Sequence, residues 1–208
     1  WLNLTSRLDI SEDWIFKYAN YQNQSFDNYI IKDGFRRRLS TTLSMGLTTK
    51  IYGIFPIKIK AYEALRHTLT PSVSISFIPN ITNPLMGDNL NKLFTNAGSF
   101  QFDENNEGKL LDPFYSSVVS PTSEREKLVY QFRIQNLFQT KYISNVDKTN
   151  NTEYSKATIL DWNIKTQYDA LADSINWTPI TSRMKSQIPL IGSNLDIDLT
   201  HDIYKINN

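Results

Sequence analysis

The sequence contains no cysteine, which excludes disulfide frameworks, thiolate metal sites and a cysteine nucleophile from these 208 residues. Histidine is almost as scarce. Only His67 and His201 occur, far apart and without the close spacing that paired ligands need. No Gly-rich phosphate loop or nucleophile elbow is present. Long apolar runs are missing too. The longest span only a few residues, as at 54–57, whereas a transmembrane helix needs ~20. Nor is there a charge excess: 22 basic against 21 acidic residues give no reason to expect nucleic acid as a partner. These absences point away from an enzyme and from any cofactor. The length suits one sizeable domain or part of a larger one. A start at Trp1, without Met or a legible signal peptide, is expected of a mature product or an internal segment.

What is present is alternation. Between Arg66 and Pro79, Leu69, Pro71, Val73, Ile75 and Phe77 share one phase, and Thr68, Thr70, Ser72, Ser74 and Ser76 share the other. Successive side chains of a strand point to opposite faces, so this run is a strand with one apolar and one hydroxylated side. Similar runs predict eight strands. Residues 2–10 form the first, followed by a turn at Ser11–Asp13 and a weaker strand at 14–20. After an Asn-rich loop at 21–34, Phe35, Leu39, Leu43, Met45, Leu47, Ile51 and Phe55 alternate with Arg36, Arg38, Ser40, Thr42 and Ser44. That run is expected to be one strand projecting beyond a bilayer, the alternative being a turn near Gly46. A connection at 56–65 precedes the run already described, and a long loop with its own small substructure is expected at 80–126.

The second half adds strands at 128–139, 160–169, 180–188 and 195–203, with a polar connection at 142–156. Arg133, Lys165, Arg183 and Lys185 fall on the polar phase of these runs. Gly192-Ser193 suits a two-residue turn, since Gly accepts positive φ. That turn would set Arg183 opposite Asp202 and Gln187 opposite Asp198, polar face to polar face.

Two architectures bury or present such faces. A soluble β-sandwich turns its apolar sides into a core; a membrane barrel turns them to lipid and encloses water. Long runs, Tyr and Trp near run ends, and short connections alternating with long ones favour an antiparallel transmembrane β-barrel, with 80–126 as an extracellular loop. Open edges in a fragment of a wider barrel would prevent it from folding alone. Several features are more simply structural. His67 suits a strand end, Asp196, Asp198 and Asp202 suit a wet face opposite Arg183, and the Asn-x-Thr triplets are expected by chance in so Asn-rich a chain.

Two stretches carry a family likeness. Residues 50–55 followed by 64–79 (Ala-Leu-Arg-His-Thr-Leu-Thr-Pro-Ser-Val-Ser-Ile-Ser-Phe-Ile-Pro), and then 171–180 (Leu-Ala-Asp-Ser-Ile-Asn-Trp-Thr-Pro-Ile), resemble in order the barrel of the LptD family. The likeness is to its divergent, cysteine-poor branch. It implies part of a larger outer-membrane barrel that passes lipopolysaccharide from the periplasm into the outer leaflet. It also implies contact with outer-membrane lipids, a plugging LptE-like lipoprotein and a periplasmic Lpt bridge. On that reading the candidate route is lined by Arg36, Arg38, Thr68, Thr70, Ser72, Ser74, Ser76, Arg133, Lys165, Arg183 and Lys185, and Pro71 is a candidate for weakening strand pairing. Another porin or transporter barrel, or a soluble β-sandwich binding module, shares the physical pattern.

Overall fold

A computed structural model of the chain describes residues 1–59, 62–82, 95–96, 101–103, 108–115, 119, 121–123, 125–146, 152–188 and 193–204. Among them the regular structure is all β. The strands are β1 (Leu2–Tyr21), β2 (Tyr29–Thr49), β3 (Ile51–Ile59), β4 (Tyr62–Ile78), β5 (Phe102–Asp103), β6 (Lys109–Leu110), β7 (Lys127–Val146), β8 (Thr152–Asp169), β9 (Ile180–Ile188) and β10 (Ser193–His201). One sheet has the order β1-β2-β4-β7-β8-β9-β10, with β3 also pairing β4, and β5 pairs β6 separately. Among the described residues β1 and β10 do not pair, so the sheet is open.

The expected turn at Ser11–Asp13 does not form; β1 runs straight through it. The acids there are accommodated by the neighbouring strand. Arg37 Nη1 lies 2.9 Å from Glu12 Oε1, and Arg38 Nη2 lies 2.6 Å from Asp13 Oδ2. Cross-strand opposite charges favour pairing, and the phase from Ile10 to Trp14 and Phe16 is unbroken. Both rings pack on Phe35 of β2, at 5.9 and 5.7 Å between centroids.

The run from Phe35 to Phe55 has no turn near Gly46 and is broken only at Lys50, where β2 ends and β3 begins. Ile51 pairs with Leu69 and Gly53 with His67; extended upward, that register puts Ser44 opposite Ser76, whose hydroxyls lie 3.2 Å apart. The same register sets Thr49 opposite Pro71. Pro has no N–H to give the ladder, and the break at Lys50 lies beside it. Pro71 nevertheless does not interrupt β4, which is continuous over 17 residues.

Two expected connections shrink because strands extend into them. The segment at 56–65 is strand on both sides of 60–61, with a register shift between Pro56 and Ile59. The polar stretch at 142–156 is mostly ladder, with Tyr142 opposite Ser155 and Ile143 opposite Tyr154. At 142–156 polar side chains on both faces concealed the strand ends. The β9–β10 register differs from expectation by four residues. Arg183 is opposite Asp198 and Gln187 opposite Asn194, and the strands are joined by 189–192, outside the described residues. An even shift leaves every side chain on its face, so the expected polar-to-polar match survives with different partners. Between β8 and β9, Ile175 adopts φ 54°, a conformation strained for a β-branched side chain. The Asn176 amide holds it by donating to the Asp169 and Ala172 carbonyls, at 2.9 and 3.0 Å.

The chain divides into two compact units. Unit 1 comprises Trp1–Ser6, Met45–Ile75 and Val129–Asn208. None of its hydrophobic side chains is buried among the described residues. Leu2, Leu4, Ile51, Ile75, Ile134 and Leu195 are instead exposed. Unit 2 comprises Arg7–Ser44 and Ser76–Leu128 and contains all the buried apolar side chains described: Ile15, Ala19, Phe26, Ile81, Leu110, Leu111 and Phe114. Among its described residues the 80–126 segment does form a small substructure, with β5 paired to β6 and Leu110, Leu111 and Phe114 buried. It folds onto β1 and β2, where the Ala19 N–H donates to the Pro113 carbonyl at 2.9 Å and Arg38 bridges to Thr95.

Candidate functional site

The 80–126 segment is organised by two buried carboxylates and one aromatic ring. Asp112 accepts from the Phe114 and Thr122 N–H groups at 3.0 and 2.7 Å and from the Thr122 hydroxyl at 2.9 Å. Asp103 accepts from the Phe26 N–H at 2.8 Å. Phe114 is fully buried, with the Arg38 guanidinium 4.7 Å from its ring centroid. Arg38 also donates to Thr122 Oγ1 at 2.9 Å. Paired with Asp13 and 5% exposed, it anchors the segment and is not available to a ligand. Arg36 lies over the Tyr18 ring at 4.0 Å, with its Nε buried and unpartnered among the described residues. The acids that build this segment carried no periodic signal; the one local cue was Asp112-Pro113.

The hydroxyl stripe of β4 is largely engaged within the sheet. Thr68 is buried, Ser76 faces Ser44, and Ser72 Oγ donates to the Arg133 carbonyl at 3.4 Å. Ser74 packs against Gly46, 3.6 Å from where a Cβ would stand. His67 lies on the apolar phase, stacked on Phe138 at 4.3 Å with its Nε2 3.1 Å from Asn136 Oδ1. It sits within the β3–β4 ladder, not at a strand end. No cluster of three potential metal ligands occurs among the described residues.

The other cations converge on β7 to β10. A groove of ≈ 680 Å³ is lined by Gln131, Arg133, Asn163, Lys165, Arg183 and Asp198, among others. An adjoining ≈ 270 Å³ hollow includes Asp161, Lys185 and Asp196. Cross-strand register orders these residues into rows. In one, Lys185 stands between Asp161 and Asp196. In the next, Arg183 stands between Asn163 and Asp198 and grips Asp198 with two hydrogen bonds, at 2.6 and 2.9 Å. The acid partner is Asp198 and not Asp202, because of the four-residue register difference. In the third row Arg133 stands directly opposite Lys165, which is followed by Thr181 and Thr200. That row has two cations and no acid. Arg133 Nε donates to Asn163 Oδ1 at 3.2 Å, and Asp161 accepts instead from Gln135 at 3.1 Å.

On the opposite face aromatic rings gather where β8 meets its connection to β9. Trp177 lies 5.0 Å from Tyr168 and 5.9 Å from Phe132, and Tyr130 lies 6.4 Å from Tyr168. The Trp177 N–H donates to the Tyr204 hydroxyl at 2.9 Å.

Comparison with known families decides what this sheet belongs to. The family described as LptD protein matches residues 1–204. The chain belongs to the LptD family. No curated protein and no solved structure matches it. LptD-family proteins are outer-membrane proteins of lipopolysaccharide transport and assembly, a family of transporters and not of enzymes. The match takes in both motifs that carried the likeness, at 64–79 and 171–180.

Proposed function

We propose that this chain is part of the wall of an outer-membrane β-barrel that passes lipopolysaccharide from the periplasm to the outer leaflet. One observation carries the membrane part of the reading. Unit 1 is sheet without a buried apolar residue among those described, and its hydrophobic phase is exposed. A soluble sandwich would cover that face; lipid accounts for it without a second sheet. Strand length agrees. β1 and β7 have 20 residues each, or ~65 Å at 3.3 Å per residue, which is well beyond the ~25 Å apolar band of such barrels.

Connections alternate as outer-membrane barrels require. Residues 60–61, 147–151 and 189–192 join strands at one end, and 22–28, 79–126 and 170–179 join them at the other. Short turns face the periplasm and long connections the exterior, so the 80–126 segment is external on this reading. The Tyr168–Trp177 cluster then falls at the outer interface, where amphipathic rings favour the headgroup level.

The mechanism is conduction. A polar face that carries cations in rows, among amides and hydroxyls, binds a glycolipid head group weakly at many points and lets it pass. Closure of the barrel, an LptE-like plug and a periplasmic Lpt bridge follow from family membership as expectations. Depletion of the full-length protein tests the reading. Lipopolysaccharide labelled at the cell surface should fall while its periplasmic pool rises; an unchanged surface level overturns it.

A further inference from the structure

We propose that Arg133 and Lys165 form a two-point seat for a phosphate monoester, at which the head group of the cargo pauses. The proposal rests on the transport reading above and sharpens it by separating the candidate cations. Arg38 is buried with Asp13. Arg183 is held by both oxygens of Asp198, and Lys185 lies between two aspartates. Among these candidate cations, only Arg133 and Lys165 are adjacent like charges in a row without an acid; Lys141 and Lys156, also directly opposite, have Glu63 within 3.7 Å of Lys141.

Like charges directly opposite on a ladder oppose pairing, so the arrangement works against the sheet unless an anion joins it. Cross-strand Cβ atoms lie roughly 4.5–5.5 Å apart, close enough for both cations to reach one tetrahedral anion. Arg133 is oriented through its Nε by Asn163, which leaves the terminal guanidinium nitrogens for a forked contact with two phosphate oxygens. Lys165 makes no ion pair among the described residues and supplies the second charge. Gln131 lines the same groove and its amide can donate to further oxygens. A dianion neutralises both cations, whereas a single carboxylate leaves one unmatched. The favoured ligand class is therefore phosphate.

The test uses the full-length protein in detergent, titrated at fixed ionic strength with inorganic phosphate, a hexose 1-phosphate and the unphosphorylated hexose. A second arm uses nanodiscs containing lipopolysaccharide or its dephosphorylated form. Wild type should bind the phosphorylated probes and not the hexose, and tighter binding in the nanodisc arm identifies the lipid as the source. The R133Q/K165Q pair should bind them at least tenfold more weakly, while remaining as thermally stable as wild type or more so without ligand. Lys141, whose Nζ lies 3.7 Å from Glu63, supplies a control: K141Q should bind as wild type does. Equal binding by wild type and the double variant, or a double variant that is less stable without ligand, overturns the seat. If phosphate binds at these residues but depletion leaves surface lipopolysaccharide unchanged, the seat stands and the transport reading fails. The reverse result removes only the seat.

Discussion

Two arginines on the same phase of their strands have opposite fates. Arg38, in unit 2, is buried under the 80–126 segment and satisfied by Asp13, Thr122 and the face of Phe114. Arg133, in unit 1, is exposed on a bare sheet opposite another cation. The difference follows from what covers each face. Where a loop brings its own aromatic ring and carboxylates, a polar strand face becomes the base of a small core. Where nothing covers it among the described residues, the polar face stays wet and the apolar face stays exposed, an arrangement that the proposed lipid surround would stabilise.

The largest effect should come from the ring at the centre of that small core. Phe114→Ala should destabilise the docked segment by about 4 kcal/mol, as loss of a buried aromatic does. Hydrogen exchange should show protection lost across 108–115 while β7 and β8 keep theirs, because sub-global units open separately. Uniform loss everywhere would dissolve the contrast between the two units. Next, Arg38→Met leaves Asp13 without its partner at a site where Asp13 keeps partial solvent access. A cost of about 2 kcal/mol is expected, read as faster limited proteolysis in the same segment.

Asp112→Asn retains the shape but leaves a single acceptor oxygen for three donors, so at least one loses its partner and the rest lose a charged acceptor, which should cost about 1–2 kcal/mol. It should release the segment without altering β9 and β10. At the small end is the Arg183–Asp198 pair. Both side chains are more than 60% exposed, so removing either should leave the melting temperature within error. A clear loss of stability there would show that unit 1 is more enclosed than its surface suggests.

How much of this was legible depended on range. Alternation at 66–79 located β4 and both of its faces, because that signal needs no partner. Ser11–Asp13 misled because three polar residues in a row look like a turn; Arg37 and Arg38, 25 residues away, make them strand. The site was legible as cations on one phase. Which cations were already matched was not, since Asp198 and Asp202 share the phase and only the register chooses between them.

The sequence by itself determined which side chains share a face, because a strand repeats every two residues whatever lies beside it. It also carried the two motifs that place the chain in the LptD family. Tertiary structure alone decided the four-residue register of β10, the burial of Arg38 beneath a distant loop, and the meeting of Arg133 with Lys165. Each depends on pairing between segments far apart in the chain, and such pairing is set by hydrogen-bond ladders and packing that leave no periodic trace in either segment alone.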